Sequence, residues 1–366
     1  MGDAIVGVVA NPLSGRDIRR LVTHATVFPT AEKISMICRM LAAFGAVGVD
    51  RALLSTDLGG ISAGVLRALR RRRPADPPWP DVEFLDALPV TQTAADTTAS
   101  VRQMAARGAR VIVCLGGDGT ARVTAAAVGD IPMLAVSTGT NNAFPVVREA
   151  TIAGLAAGLV ATRAVPVPEA ARRVKVLEAR AADRTELALV DVAVSTRRHV
   201  ATRAIWDPRT LTRLYCAFAE PDAIGLSSIL GQAAPVTRAA PFGVTAAISQ
   251  AGPDATVLAP IAPGHVIPVG IKDVQRLAPG GWQQAADGAG VLAVDGEREL
   301  TFEPGAPPHV RLRTDGPWCV DVPAVLAASA GRGLLTRGLP PHGLPAHGLP
   351  AHGLPTHGLQ THGQAQ

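Results

Sequence analysis

Residues 111–120, VIVCLGGDGT, join an apolar run to a glycine-rich turn. The run Val111–Leu115 is short and rich in β-branched residues, which is typical of a buried strand. Glycine permits positive φ angles in the turn and lets a ligand approach the backbone closely. We expect a helix to begin after Thr120. Because free N–H groups at a helix start attract anions, the stretch predicts a phosphate-binding loop, or else a tight turn capped by Asp118 or Thr120.

Two other polar loops follow apolar runs in the first half of the chain. Asn11-Pro12-Leu13-Ser14-Gly15 follows Ile5–Ala10, and Ser137-Thr138-Gly139-Thr140-Asn141-Asn142 follows Ile131–Val136. In an open parallel sheet, ligands bind at the carboxyl ends of the strands. We therefore expect the three loops to converge on one crevice that holds the phosphates of a nucleotide.

Asp118 is the candidate catalytic residue of this crevice. The only lysines are Lys33, Lys175 and Lys272, and none completes a GxxxxGK[ST] phosphate loop. Phosphate charge would then be neutralised by Mg²⁺ and arginine. Beside a bound phosphate, Asp118 would orient Mg²⁺ or accept a proton from an attacking hydroxyl.

The first half of the chain predicts an α/β domain over residues 1–165. Amphipathic segments with a helical period alternate there with short apolar runs, a pattern typical of a parallel sheet with helices on both faces. The predicted helices include 31–44, 61–73, 93–107 and 151–160.

The second half predicts a β-rich domain over residues 166–300. Its segments are shorter, and five of them resemble strands: 187–194, 243–248, 256–260, 291–294 and 310–313. One helix is expected near 208–219. The segment 301–330 would close either domain. The tail, 331–366, repeats an HGLPA-type pentad that cannot propagate a helix or sheet, so we expect a disordered repeat, with metal binding by its histidines as the alternative.

Composition excludes several classes of protein. The 366 residues are 48% hydrophobic, 3% aromatic and 18% charged, with a net charge of +5. General disorder and aromatic stacking on single-stranded nucleic acid are therefore not expected. The cysteines are widely spaced and form no CxxC pair, which favours a reducing compartment, the cytoplasm. We find no basic leader and no apolar run of about 18 residues, so we expect no signal peptide or membrane span.

The three loops together resemble those of the superfamily of ATP-NAD kinases and diacylglycerol or sphingosine kinases. More narrowly, NPLSGRDIRRLV at 11–22, GGDGTARV at 116–123 and STGTNNAFP at 137–145 resemble the acetoin catabolism protein X group within it. The likeness extends through ALVDVAVS at 188–195 and LAVDGERE at 292–299, over about residues 1–320. It implies an NAD-kinase-like fold: a Rossmann-like parallel-sheet domain followed by a β-rich domain.

The resemblance also implies a reaction and a set of residues. The reaction is transfer of the terminal phosphoryl group of ATP, or of polyphosphate, to the 2′-hydroxyl of NAD, with Mg²⁺ as cofactor. The catalytic residue is Asp118. The phosphate-binding residues are Asn11, Ser14, Gly15, Gly116, Gly117, Gly119, Thr120, Thr138, Gly139 and Thr140. Kinases of this class are usually homo-oligomers.

The acceptor side departs from the NAD-kinase pattern. Val190-Asp191 stands where NAD kinases have an Asn-Glu pair, so the carboxylate is kept and the amide is lost. Asn141 and Asn142 offer amides to a ribose or an adenine edge, or Asn142 simply occupies a turn. Asp295, in Asp295-Gly296-Glu297, is either a metal-positioning acid or part of a β-turn.

Three functions are compatible with these features. The first is an ATP-dependent, NAD-kinase-like enzyme linked to acetoin catabolism. The second is a kinase for another hydroxyl acceptor, lipid-like or a small metabolite, since TGTNNAF and NPLSG have a lipid-kinase character. The third is a nucleotide-binding accessory protein without catalysis. None of them involves nucleic acid or a membrane.

Overall fold

The computed structural model describes residues 3–14, 28–86, 90–139, 141–197, 204–205 and 207–336. Gly15, Thr140 and the pentad tail from residue 337 onward lie outside these ranges.

A sheet of five parallel strands forms the centre of the first domain. In spatial order the strands are β3 (Asp81–Phe84), β2 (Arg51–Leu54), β1 (Ile5–Ala10), β4 (Val111–Gly116) and β5 (Met133–Ser137). Every residue of β1 and β4 is buried. Continuous apolar runs of this kind are typical of a parallel sheet covered on both faces.

Helices cover both faces of this sheet. They are α1 (Thr30–Ala46), α2 (Ile61–Arg70), α3 (Ala94–Ala106), α4 (Asp118–Ala127), α5 (Ala150–Ala161) and the short α6 (Val167–Ala170). Val6 and Val8 belong to the core formed with α1 and α5, whereas Ile5 and Val9 belong to the core that includes α3 and α4. The alternation follows from the two-residue period of a strand.

The second domain is made of two antiparallel sheets. The larger follows the order β12 (Ala255–Ala262), β13 (His265–Leu277), β11 (Gly243–Ile248), β10 (Leu211–Cys216), β9 (Asp191–Ser195), β15 (Gly290–Val294) and β16 (Glu297–Phe302). The smaller follows the order β14 (Gln283–Gln284), β17 (His309–Arg313), β7 (Val176–Ala181) and β8 (Arg184–Ala188). The helix α7 (Ser227–Ala233) packs against β12. The predicted fold class, α/β followed by β-rich, is confirmed.

The predicted helix near 208–219 is wrong. A single 3₁₀ turn, Pro208–Thr210, is capped by the Asp207 side chain and leads directly into β10. That strand pairs with β9 on one side and β11 on the other. These long-range pairings outweigh the local pattern.

The closing segment is divided between the two domains. Residues up to Arg313 remain in the β sheets. β18 (Trp318–Val320) then returns to the first sheet beside β5, and β6 (Ala171–Arg173) pairs antiparallel with it. The last described helix, α8 (Val322–Gly331), packs on α5 and α6. The chain therefore crosses twice between the domains. Across the described ranges, no helix has the length and apolar character required to cross a bilayer.

Candidate active site

A cleft of about 580 Å³ opens where β1, β2 and β4 end. Its walls come from the loops after these strands and after β5, from the start of α3, and from the turn between β15 and β16. It therefore lies where parallel α/β sheets place ligands. Asn11, Ser14, Gly117, Asp118, Gly119, Thr120, Gly139, Asn141, Asn142 and Asp295 all line it.

Direct hydrogen bonds hold the three polar loops together. The Asn11 amide nitrogen donates to the Thr120 hydroxyl at 2.9 Å. The Ser14 and Thr138 hydroxyls lie 2.9 Å apart. The Thr138 N–H donates to the Gly116 carbonyl at 2.9 Å. The structure thus brings the loops to one rim, with their side chains engaged with one another.

The GGDGT segment differs in two details from the prediction. Helix α4 begins at Asp118, not after Thr120, and Gly117 is its N-cap. Gly116, Gly117 and Gly119 are absent from the residues with positive φ. Gly117 is required for its lack of a side chain and not for its φ angle, because a Cβ at this position would lie 2.7 Å from Oδ1 of Asn142. The Asn142 amide thus fills the gap between two of the loops, and it donates to the Ser137 hydroxyl at 2.8 Å.

The Asp118 carboxylate binds the backbone of the loop after β5. Its Oδ2 accepts the Ala143 N–H at 3.0 Å, and its Oδ1 accepts the Phe144 N–H at 2.8 Å. Two successive peptide groups thus orient the carboxylate at the rim of the cleft. Asp118 caps this loop and does not cap its own helix.

Asp295 occupies a two-residue hairpin turn. Asp295 and Gly296 have φ of 48° and 77°, as a type I′ turn requires, and they join β15 to β16. The Asp295 carboxylate accepts the N–H groups of Leu189, Val190 and Asp191 at 2.8–3.2 Å. The predicted turn is therefore present, and the same carboxylate also faces the cleft.

Burial raises the pKa of Asp295 to about 7; Arg122 and the backbone N–H groups lower it, and the Asp118 charge raises it. The folded protein then binds more protons than the unfolded chain between about pH 4 and 7, so this group's contribution to stability falls as pH rises through that window. We expect Asp295→Asn to gain stability relative to wild type as pH increases from 4 to 7, with no further change above. Urea unfolding at a series of pH values measures this; a difference independent of pH would contradict it.

Two of the three candidate acceptor residues, Asn141 and Asn142, line the cleft. Asn141 is buried, and its amide nitrogen donates to the Ile261 carbonyl at 3.4 Å, so this residue links the first domain to β12. Asp191 does not line the cleft. It is buried in β9 opposite Cys216, and its backbone N–H and carbonyl are bound to Asp295. Asp191, which stands where NAD kinases have the longer glutamate, therefore contacts the Asp295 turn through its backbone.

Lys33 is a site residue that sequence reasoning missed. It lies in α1, is fully buried, and its ammonium donates to the carbonyls of Asn11, Pro12 and Ser14 at 2.9, 3.2 and 2.9 Å. These three hydrogen bonds fix the backbone of the loop that contains Asn11 and Ser14. A signal was available, because Lys33 continues the apolar stripe of Ile37 and Leu41 at four-residue spacing, where a charged residue is unexpected.

Carboxylates dominate the cleft. Among the described lining residues, Arg122 is the only lysine or arginine, and the acids are Asp57, Asp96, Asp118, Asp295, Glu297 and Glu299. Arg122, on α4, donates to Glu299 at 2.8 Å and pairs with Glu186 at 3.4 Å, which ties α4 to the β domain. The cationic side chain among these described lining residues is therefore already paired with two carboxylates.

Comparisons with known proteins cover nearly the whole chain. The ATP-NAD kinase N-terminal domain matches residues 6–164, and the acetoin catabolism protein X C-terminal domain matches residues 175–315. Acetoin catabolism protein X of Cupriavidus necator is 40% identical over 339 residues, which are 91% of this chain and 94% of that protein. The chain belongs to the acetoin catabolism protein X family. The resemblance recognised from the sequence is confirmed.

The tail of this family member matches six copies of the GLTT repeat over residues 338–363. Among solved structures, yeast NADH kinase complexed with NADH aligns with a TM-score of 0.48 at 13% identity, over 89% of this chain and 86% of that one.

Proposed function

We propose that this family member is a phosphotransferase that moves the terminal phosphoryl group of ATP, or of polyphosphate, to a hydroxyl of NAD or a related small molecule. One observation carries the proposal: three polar loops from separate strand ends meet at one cleft, with Asp118 at its rim. The ATP-NAD kinase domain match over residues 6–164 supports the same reaction class. The relative's name suggests a role in acetoin catabolism.

The chain's own residues supply binding and proton transfer. The first N–H groups of α4 lack partners within the helix, so they attract phosphate oxygens. The acceptor oxygen forms a bond to the terminal phosphorus while the bond to the bridging oxygen of the donor breaks. Asp118 takes the proton that the acceptor hydroxyl loses. The shortened donor, ADP in the case of ATP, then leaves.

Mg²⁺ fits this cleft as a companion of the nucleotide. Within the described part of the chain, no group of three metal-ligating side chains is preassembled. Mg²⁺ commonly binds through one or two carboxylates together with substrate phosphates. Glu297 would hold it, or Asp118 would do so in place of its role as the base, and the ion would neutralise charge on the transferring phosphate. Asp295 is a weaker candidate because it is buried, whereas Asp118 is half-buried.

A second acceptor class is favoured by the position of residue 191. Asp191 lies outside the cleft lining, and the amide of the NAD-kinase pair is replaced by Val190. We therefore keep a small hydroxylated metabolite, or a lipid-like alcohol, as the alternative acceptor. A cytoplasmic location and a homo-oligomeric state stay predictions.

The test is a comparison of acceptors. Purified protein with ATP and Mg²⁺ is incubated with NAD, or with each member of a panel of alcohols, and ADP and NADP are measured. We expect ADP release that requires an acceptor. NADP formation would select NAD, and release only with another alcohol would select the alternative. Tight nucleotide binding with no turnover for any acceptor would contradict the phosphotransferase proposal and leave an accessory protein.

A further inference from the structure

Arg238 binds the backbone of the same two residues as Asp118, through their carbonyls where Asp118 binds their N–H groups. It lies in the segment between α7 and β11. Its Nη2 donates to the Ala143 carbonyl at 2.5 Å and its Nη1 to the Phe144 carbonyl at 2.9 Å. Asp118 accepts the N–H groups of these two residues. The Ala143–Phe144 backbone is therefore held between a carboxylate of the α/β domain and a guanidinium of the β domain.

The Arg238 guanidinium is itself held from several directions. Its Nε donates to Glu220 at 3.1 Å, and its Cζ lies 4.4 Å from the Phe218 ring centroid and 5.4 Å from that of Phe144. Such cation–π contacts add to the charge-assisted hydrogen bonds and favour one orientation of the fork.

The segment that carries Arg238 is also anchored. Lys175 is buried, and its ammonium donates to the carbonyls of Thr237 and Phe242 at 3.1 and 2.7 Å. These carbonyls lie on either side of Arg238. The guanidinium therefore projects from a braced loop, and its position is defined by the β domain.

We propose that Arg238 is a positioning residue for Asp118. It fixes the backbone of Ala143 and Phe144, and the N–H groups of these two residues hold the Asp118 carboxylate at the cleft. The Ala143 carbonyl and the Phe144 N–H belong to one peptide group, so Arg238 polarises that group and strengthens the hydrogen bond that the Phe144 N–H gives to Asp118. Because Arg238 belongs to the β domain, the orientation of the Asp118 carboxylate depends on contact between the two domains. The catalytic part of this inference rests on the proposed function, and the structural part does not.

Amide exchange tests the structural part directly. The variants are Arg238→Met and Arg238→Lys. The matched control is Arg180→Met, since Arg180 also stacks on an aromatic ring, that of Trp282 at 4.4 Å, and lies in β7, outside the Arg238 segment. We expect exchange at Ala143 and Phe144 to become at least tenfold faster in Arg238→Met and to change less in Arg238→Lys. The control and the amides of β4 should exchange at wild-type rates.

The possible outcomes separate the two proposals. Wild-type exchange at residues 143 and 144 in a folded Arg238→Met protein would overturn the inference. If that variant does not fold, wild-type exchange in Arg238→Lys would overturn it as well. Where the wild type transfers phosphate, we expect Arg238→Met to lower kcat about tenfold and to change the KM for the donor less than twofold, with partial recovery in Arg238→Lys. Where it does not, the proposed function fails and the exchange result still decides the role of Arg238.

Discussion

Replacing Asp118 with asparagine is expected to lower phosphoryl transfer by about 10²–10⁴-fold, the range for loss of a general base. The asparagine oxygen can still accept an N–H from the loop after β5, whereas its amide cannot take a proton from the acceptor. The loop should therefore stay in place while the chemistry is lost. The measurement is ADP release at saturating donor and acceptor.

The matched variant is Asp118→Ala, which removes both roles. It should lose activity and also speed amide exchange at Ala143 and Phe144, because the N–H groups lose the partner that binds them at 2.8–3.2 Å. Wild-type turnover in Asp118→Asn, with the protein folded, would contradict the catalytic assignment. Equal loop exchange in both variants and wild type would contradict the anchoring role.

Replacing Lys33 with methionine is expected to lower the free energy of unfolding by about 3 kcal/mol, since hydrogen bonds to a buried charge contribute roughly 1.5–3 kcal/mol each and do not add fully. Three carbonyls of the NPLSG loop lose their donor. Methionine keeps much of the side-chain length, so the change isolates the ammonium. Urea unfolding measures the difference.

Lys272→Met is the control for this change, because Lys272 lies in β13 and is only half-buried. We expect it to shift stability by less than about 0.5 kcal/mol. We also expect Lys33→Met to weaken nucleotide binding about tenfold, as Asn11 and Ser14 lose their support. A Lys33→Met protein as stable as Lys272→Met would show that the carbonyls find other partners.

Local sequence patterns were sufficient to predict most strands and helices of the first domain. Strands such as β1 and β4 are continuous apolar runs buried on both faces, so their existence could be predicted without neighbours. The rim of the cleft was predictable for a related reason, since strand order in a parallel sheet brings successive strand ends to one edge.

The features that the sequence did not predict depend on contacts between segments far apart in the chain. β13 is 13 residues long and largely exposed from Asp273 to Arg276, so it has no regular alternation, and its pairing with β11 and β12 defines it. Lys33 and Arg238 act on backbone carbonyls of remote loops. A carbonyl is present at every residue, so no side-chain motif reports such a contact.

A crystal structure with Mg²⁺ and a non-hydrolysable ATP analogue would show directly whether the three loops bind phosphate. We expect the phosphates in the cleft, within hydrogen-bond distance of the N–H groups at the start of α4, beside Asp118 and the loop that contains Asn11. A nucleotide bound elsewhere, or in the cleft with its phosphates directed away from α4, would contradict it.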